Sequence, residues 1–349
     1  MTATKAYAAQ SATTPLVPFN FERRTPGPHD VQIEILYCGV CHSDIHQVRN
    51  EWGGSVFPMV PGHEIVGRIT AVGNHVTKFK VGDLAGIGCF VDSCRVCDNC
   101  KEGLEQYCEE GMTGTYNSKE RDTQAPTYGG YSTQIVVDEN YTLKVSDKLS
   151  LPGVAPLLCA GITTYSPLRY VGVKKGDKVA VLGLGGLGHM AVKFAAAFGA
   201  EVTMLSGSPS KEADAKKLGA HHFELTSNAE TMKSLKGKFD VILNTVSAPH
   251  EYTTYIELLK TNGTMIIVGI PPEPAKVPAF HLIHQRKKIM GSMIGGIAET
   301  QEMLDFCAEH AIVSDIELID INYINEAYDR VLKSDVKYRF VIDIASLKK

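Results

Sequence analysis

Cys94-x2-Cys97-x2-Cys100-x7-Cys108 places four potential thiolates within fifteen residues. Four soft sulfur donors fill the coordination sphere of one tetrahedral zinc, and a site closed in this way holds structure together. Zinc fingers and ribbons keep their two ligand pairs farther apart, so this spacing reads as a metal-stapled lobe on a larger enzyme. Three other segments carry ligand chemistry: Cys41-His42-Ser43-Asp44-Ile45-His46, Gly62-His63-Glu64, and Cys159 in LLCAGITTY. Two thiolates and an imidazole would hold a metal with one position open. Spacing alone leaves that reading weak, because a lone histidine or cysteine equally serves as packing.

A second chemistry is legible in Gly183-Leu184-Gly185-Gly186-Leu187-Gly188, which follows the apolar run KVAVL and opens HMAVKFAAAFGA. In that strand–turn–helix context G-x-G-x-x-G is a dinucleotide fingerprint. The first glycine permits the turn, the second admits a pyrophosphate, and the third lets helix and strand approach. The anion would rest on the unpaired N–H groups of the helix N-terminus. An NAD site usually ends the next strand with a carboxylate for the ribose hydroxyls. Here VTMLS ends at Ser206, followed by Gly207-Ser208-Pro209-Ser210-Lys211. Hydroxyls and an ammonium suit a 2′-phosphate, so NADP(H) is expected over NAD(H).

The elements that must position these residues fall into two kinds. VQIEILYCGV, EIVGRITAVG and YSTQIVVDE alternate as strands, and Gly82-Asp83 reads as a turn. Residues 88–128 have little periodicity and need a metal to order them. From about Leu157 onward, strands alternate with helices: KVAVL, VTML, FDVILNTV, a helix around TYIELLKTNG, TMIIVGI and a final strand in KIMGSMIGG. That alternation predicts a parallel sheet covered on both faces. ETQEMLDFCAEH and INEAYDRVLKSD read as helices, and YRFVIDI as a strand that rejoins the first domain.

With 349 residues, 44% of them hydrophobic, the chain suffices for about two domains with a sizeable core. A net charge of −4 argues against general nucleic-acid affinity. The absence of an 18-residue apolar run argues against a membrane span. The start lacks a basic segment followed by an apolar one, so no secretory signal is expected and the location is read as cytoplasmic. Nine cysteines in such a chain favour metal or catalysis over disulfides.

GHEIVGRITAVG, the four-cysteine lobe, LLCAGITTYSPL and GLGGLGHMAVKFA occur in the order found in zinc-dependent medium-chain alcohol dehydrogenases, which the chain resembles over essentially its whole length. CGVCHSDIHQVRNEW, MTGTYNS, GGYS and GSMIGG are similar to the cinnamyl alcohol dehydrogenase branch, whose relatives include NADPH-dependent aldehyde reductases. The resemblance implies an α/β protein. A GroES-like β-rich catalytic domain would span residues 1–153 and 293–349, with the structural-zinc lobe at about 88–128. A Rossmann doubly wound domain would span 154–292.

The resemblance also implies roles. Catalytic zinc would bind Cys41, His63 and Cys159, with Glu64 as an approaching fourth ligand. This Cys2His set is the one known from alcohol dehydrogenase itself, so the assignment is a match to an established example. Cys94, Cys97, Cys100 and Cys108 would hold structural zinc, giving two zinc ions per chain. Asp44 would orient His63, and Arg339 matches a basic residue that pairs near Asp44. Ser43 and His46 would relay the proton, which suits an imidazole near neutrality. Cofactor contacts are implied at Thr163, Gly183, Gly185, Gly186, Leu187, Gly188, Ser206, Ser208, Lys211, Thr245, Val268, Gly269, Ile270, Ser292 and Ile294. Gly207 and Pro209 depart from the branch's serine run, which could loosen the NADP preference.

His42 has no assigned role, Trp52 is a candidate to line the substrate pocket, and Cys38, Cys89 and Cys307 are read as structural. The expected reaction is zinc-assisted hydride transfer from NADPH to a small cinnamyl, benzylic or medium aliphatic aldehyde. The expected assembly is a homodimer, with a tetramer as the other possibility. Two other classes use similar parts: a zinc-free quinone or enoyl reductase on the same plan, and a zinc-stabilised redox sensor using Cys38-x2-Cys41.

Overall fold

The computed structural model describes residues 1–348. Their contacts divide the chain into two compact units, Met1–Ile162 with the tail from Gly295, and Thr163–Ile294.

The first unit is organised by the ten-residue strand Asp30–Gly39, in which Val31, Ile33 and Ile35 alternate into the core. Ile65–Val72 pairs antiparallel with it along one edge. The other edge is shared: Gln134–Asp138 pairs with its first half, and Arg339–Asp343 with Tyr37–Gly39. One strand thus ties segments from the beginning, middle and end of the chain into one sheet. Leu84–Ile87 and Leu143–Lys144 extend this sheet past Ile65–Val72, and Ile316–Asp320 extends it past Arg339–Asp343. Thr2–Ala9 and Leu16–Arg23 form a separate antiparallel pair. Within the cysteine-rich excursion, Phe90–Asp92 pairs with Thr113–Gly114, and a single helical turn, Asp98–Lys101, lies between them.

The second unit is a six-stranded parallel sheet. Its spatial order is His222–Leu225, Glu201–Ser206, Lys178–Leu182, Phe239–Asn244, Leu259–Ile267, Lys288–Gly291. This 3-2-1-4-5-6 order is that of doubly wound dinucleotide folds. The order reverses between Lys178–Leu182 and Phe239–Asn244, and ligands bind at such a switch, outside the carboxyl ends of the strands. Val179 to Leu182 are all buried, as expected for a strand covered on both faces.

Two local expectations needed correction. The helix expected around TYIELLKTNG stops at Ile256, and Leu259 already belongs to a strand. Leu259 pairs with Phe239, the chain bulges through Asn262 at φ 68°, and pairing resumes at Thr264. Leu258 and Leu259 are buried in the core between sheet and helices, so non-local pairing overrides the local pattern. In KIMGSMIGG only Lys288–Gly291 is a strand, and Ile294 turns into left-handed backbone at φ 42°. The tail contributes helices Ile297–His310 and Ile324–Leu332. Among the described residues, no helix is long and apolar enough to cross a membrane.

Candidate metal centre and nucleotide site

Three segments converge in the first unit. Strand Asp30–Gly39 runs into Cys41, which caps helix His42–Val48. His63 and Glu64 immediately precede strand Ile65–Val72. Cys159 ends the turn Ala155–Leu158, before helix Ala160–Tyr170. One donor atom from each of Cys41, His63, Glu64 and Cys159 lies within 4.8 Å of the others, and all four residues are buried. The Cys41 and Cys159 sulfurs are 3.8 Å apart. Two sulfurs at about 2.3 Å from one tetrahedral zinc would also stand about 3.8 Å apart.

The charges fit a cation. Glu64 is fully buried; its Oε1 pairs with the Arg339 guanidinium, while Oε2 has no hydrogen-bond partner. A buried carboxylate oxygen without a donor is costly, and a bound cation would satisfy it. Burial lowers the His63 pKa, but the charges of Asp44 and Cys89 and hydrogen bonds to Asp44 and Cys41 override it, leaving it well above its ordinary value. The cluster therefore favours positive charge at this point. Arg339, expected to pair near Asp44, pairs with Glu64, whose carboxyl feels the charges of both Arg339 and Asp44; its strand, Arg339–Asp343, lies on the edge of Asp30–Gly39.

Asp44 does more than orient one ring. Its Oδ1 accepts from His63 Nδ1 at 3.1 Å and Gly62 N at 3.2 Å, and its Oδ2 accepts from Cys41 N at 2.9 Å and the Tyr131 hydroxyl at 3.3 Å. Tyr116 stacks near His63 with ring centres 5.8 Å apart. The sequence reading missed Tyr116 and Tyr131, since a tyrosine among glycines and threonines has no periodic signature. Cys89, read as structural, lies beside the site: it contributes to raising the Cys159 pKa, and its thiol donates to Leu158 O at 3.8 Å. Cys38 is buried, with its thiol on Gly39 O at 3.5 Å, and burial raises its pKa well above the usual thiol value. That is unsuited to a reactive dithiol.

Ser43 and His46 stand three residues apart on helix His42–Val48, and so on one side of it. His46 Nδ1 is bonded to Glu51, and its ring is stacked between His42 at 4.8 Å and Trp52 at 4.7 Å. The tryptophan thus buttresses the imidazole.

In the lobe, one sulfur from each of Cys94, Cys97, Cys100 and Cys108 lies within 4.8 Å of the others. Cys97 N donates to Cys94 Sγ and Cys94 N to Cys108 Sγ, both at 3.3 Å. Arg121 lies 3.9 Å from Cys108 Sγ. Such donors stabilise thiolates. All nine cysteines are free of disulfides.

Most of the residues expected to contact the nucleotide lie at five strand ends of the second unit. Gly183 follows the strand Lys178–Leu182 at φ 91°. A Cβ on Gly185 would meet nothing within 4 Å, which leaves the backbone open to a ligand. Gly186 and Leu187 complete the turn into helix Gly188–Ala197. Thr245 Oγ1 lies 2.9 Å from Leu182 O and 3.1 Å from Gly183 O, bracing the turn. Val268 N and Gly269 N bond Asn244 O at 3.0 and 3.2 Å, Ile270 N bonds Ser247 Oγ at 3.2 Å, and Ser292 N bonds Ile267 O at 3.3 Å. Ser206 ends its strand buried, and Ser208 N donates to its hydroxyl at 3.2 Å. Lys211 Nζ donates to Leu184 O at 2.8 Å, which holds the ammonium against the glycine turn. Thr163 is buried on helix Ala160–Tyr170.

A Cβ on Gly188 would fall 1.9 Å from Gly183 O. Gly188→Ala is therefore expected to cost about 1–3 kcal/mol or more, as forced overpacking does. A denaturant midpoint unchanged from wild type would contradict this.

Comparison with known proteins gives a consistent picture. The sequence profile of the zinc-binding dehydrogenases matches residues 186–309, and that of the alcohol dehydrogenase GroES-like domain matches residues 27–147. The chain is 60% identical to NADP-dependent alcohol dehydrogenase C 1 of Mycolicibacterium smegmatis, over 100% of both chains. It is 58% identical to the aldehyde reductase YahK of Escherichia coli, over 98% of this chain and 99% of the relative. Among solved structures, a Sorghum bicolor cinnamyl alcohol dehydrogenase superposes with a TM-score of 0.95 at 46% identity, covering 99% of this chain and 98% of the other. With both domain profiles matched and full-length relatives at such identity, the chain belongs to the zinc-dependent medium-chain alcohol dehydrogenases.

Proposed function

We propose that this protein is a zinc-dependent NADP(H) alcohol dehydrogenase that works mainly as a reductase of small apolar aldehydes. The observation that carries this reading is the convergence of Cys41, His63, Glu64 and Cys159 from three distant segments into one buried donor set. A quinone or enoyl reductase has no use for that set, nor for the four-cysteine lobe. The assigned complement is two zinc ions per chain, one at each cluster. Catalytic zinc would supply Lewis acidity to a carbonyl oxygen, and the nicotinamide would supply the hydride.

The chain's own residues do the rest. Asp44 holds the His63 ring with Nδ1 engaged, which leaves Nε2 as the nitrogen that would hold the metal. Arg339 restrains Glu64 through Oε1 and leaves Oε2 for an approach to the metal. Ser43 would hand a proton to the substrate oxygen, and His46 would resupply it from solvent through Nε2, because Glu51 occupies Nδ1. In the second unit the glycine turn would seat the pyrophosphate, while Ser206, Ser208 and Lys211 would take the 2′-phosphate. An assembly of two copies fits the outer edge of strand Lys288–Gly291, which ends the parallel sheet.

The test is kcat/KM for cinnamaldehyde reduction with NADPH and NADH side by side. A preference for NADPH of about tenfold or more is expected, in line with 1.5–3 kcal/mol for hydrogen bonds to a charged group. Equal use would show that Gly207 and Pro209 disable the phosphate site. No turnover with either cofactor, on protein that holds zinc, would refute the substrate class.

A further inference from the structure

Asp44 lies at the end of a chain of buried hydroxyls that no part of the mechanism uses. The Tyr328 hydroxyl, on helix Ile324–Leu332, donates to the Tyr131 hydroxyl at 3.4 Å, and Tyr131 donates to Asp44 Oδ2 at 3.3 Å. Tyr131 and Asp44 are fully buried, and Tyr328 is nearly so. Tyr131 itself is fixed by the segment that delivers His63. Its N–H donates to Pro61 O at 3.0 Å, Gly130 N donates to Gly62 O at 2.9 Å, and its ring lies where a Cβ on Gly62 would stand, 2.7 Å away. Gly62 has φ 104°, a conformation that leaves the ring this room. Helix Ile324–Leu332 is tied down independently, because Asn325 exchanges two hydrogen bonds with Leu16, at 2.9 and 3.0 Å.

We infer that Tyr131, backed by Tyr328, is a positioning residue for the catalytic metal: its hydroxyl fixes the Asp44 carboxylate that orients His63. Four donors lie 2.9–3.3 Å from the two Asp44 oxygens, and the Tyr116 side chain also interacts with this carboxylate. Three of the donors come from the residues being positioned, namely Cys41 N, Gly62 N and the His63 ring. Tyr131 is the one of these four whose donor group takes a further hydrogen bond, from Tyr328 on a helix anchored elsewhere, so its hydroxyl ties the carboxylate to a part of the fold outside that group. Burial raises the pKa of both tyrosines well above the usual phenol value, so both remain protonated donors. A second hydroxyl donating into the first polarises it and strengthens its bond to the carboxylate.

This inference rests on the metal reading above, and the test separates the two. The zinc-loaded wild type, Tyr131→Phe, Tyr328→Phe, Asp44→Asn and the Tyr131→Phe/Asp44→Asn pair would be compared in two ways. The first is the rate of zinc release to a chromophoric chelator; the second is visible absorption after cobalt replaces zinc. Groups that orient metal ligands change metal affinity by about 10–100-fold. Tyr131→Phe is accordingly expected to speed release from the catalytic site about tenfold and to shift the cobalt bands. Tyr328→Phe should act in the same direction but less, and release from the four-cysteine lobe should not change. In the Asp44→Asn background, Tyr131→Phe should add little, because both act through one carboxylate. Wild-type release and cobalt spectra in Tyr131→Phe, whatever its melting temperature, would overturn the inference, as would fully additive effects in the double variant. Wild-type protein that takes up metal only at the lobe would overturn the metal reading and this inference together.

Discussion

Cys159→Ser is expected to retain the fold and the lobe metal, lose the metal held with Cys41 and His63, and lose nearly all turnover. Serine is close to cysteine in size but is a poor donor for zinc beside a thiolate and an imidazole. A bound metal supplies several kcal/mol of charge stabilisation in such a transition state. At about 1.4 kcal/mol per decade, kcat/KM should fall roughly 10³-fold or more. The checks are metal content by elemental analysis and steady-state aldehyde reduction. The variant should show one metal equivalent fewer than wild type, since the sulfurs of the two clusters belong to separate groups. Full turnover with wild-type metal content would refute the assignment. Loss of turnover with both metals retained would move Cys159 from ligand to some other role.

Gly207→Asp is the second large effect. A Cβ at Gly207 would meet only Thr226 Oγ1, at an ordinary 3.8 Å, so the fold accepts a side chain there. The new carboxylate would stand beside Ser206 and Ser208, where the 2′-phosphate is assigned, and in reach of the ribose hydroxyls of NADH. Two unit charges about 4 Å apart near a protein surface interact by about 4 kcal/mol before salt screening. We expect kcat/KM with NADPH to drop by roughly 10²-fold or more, while NADH activity holds or rises. Lys211→Ala should act in the same direction and weaken NADPH use by about 10–100-fold, the worth of a charge-assisted hydrogen bond. Steady-state kinetics with both cofactors at two salt concentrations measure this, because the repulsive part should shrink as salt rises. An unchanged NADPH-to-NADH ratio in a folded Gly207→Asp protein would place the 2′-phosphate elsewhere.

Features whose physics is local were legible in the sequence. The glycine turn could be read because strand, glycines and helix are contiguous, and the structure shows the space each glycine leaves: none at Gly188, open at Gly185. The four lobe cysteines were legible for the same reason, since four thiols within fifteen residues need only a local loop to reach one metal ion. The helix through Leu258 and Leu259 was misread because its pattern is ambiguous over a few residues. Pairing with Phe239, remote in sequence, decided it.

Around the metal the division is sharper. The sequence alone determined the residue types that can bind zinc and phosphate, and the alternation of strands and helices behind the cofactor sheet. It could not determine that Cys41 and Cys159, 118 residues apart, stand 3.8 Å from each other. Nor could it show that Arg339 meets Glu64 across 275 residues, or that Tyr328 reaches Asp44 through Tyr131. Arg339 meets Glu64 because one strand, Asp30–Gly39, carries Ile65–Val72 on one edge and Arg339–Asp343 on the other, while Cys159 and Tyr328 arrive on a turn and a helix packed in the same unit. Local propensity and spacing act over a few residues, whereas a buried charge takes whatever partner the sheet brings to it, at any sequence distance.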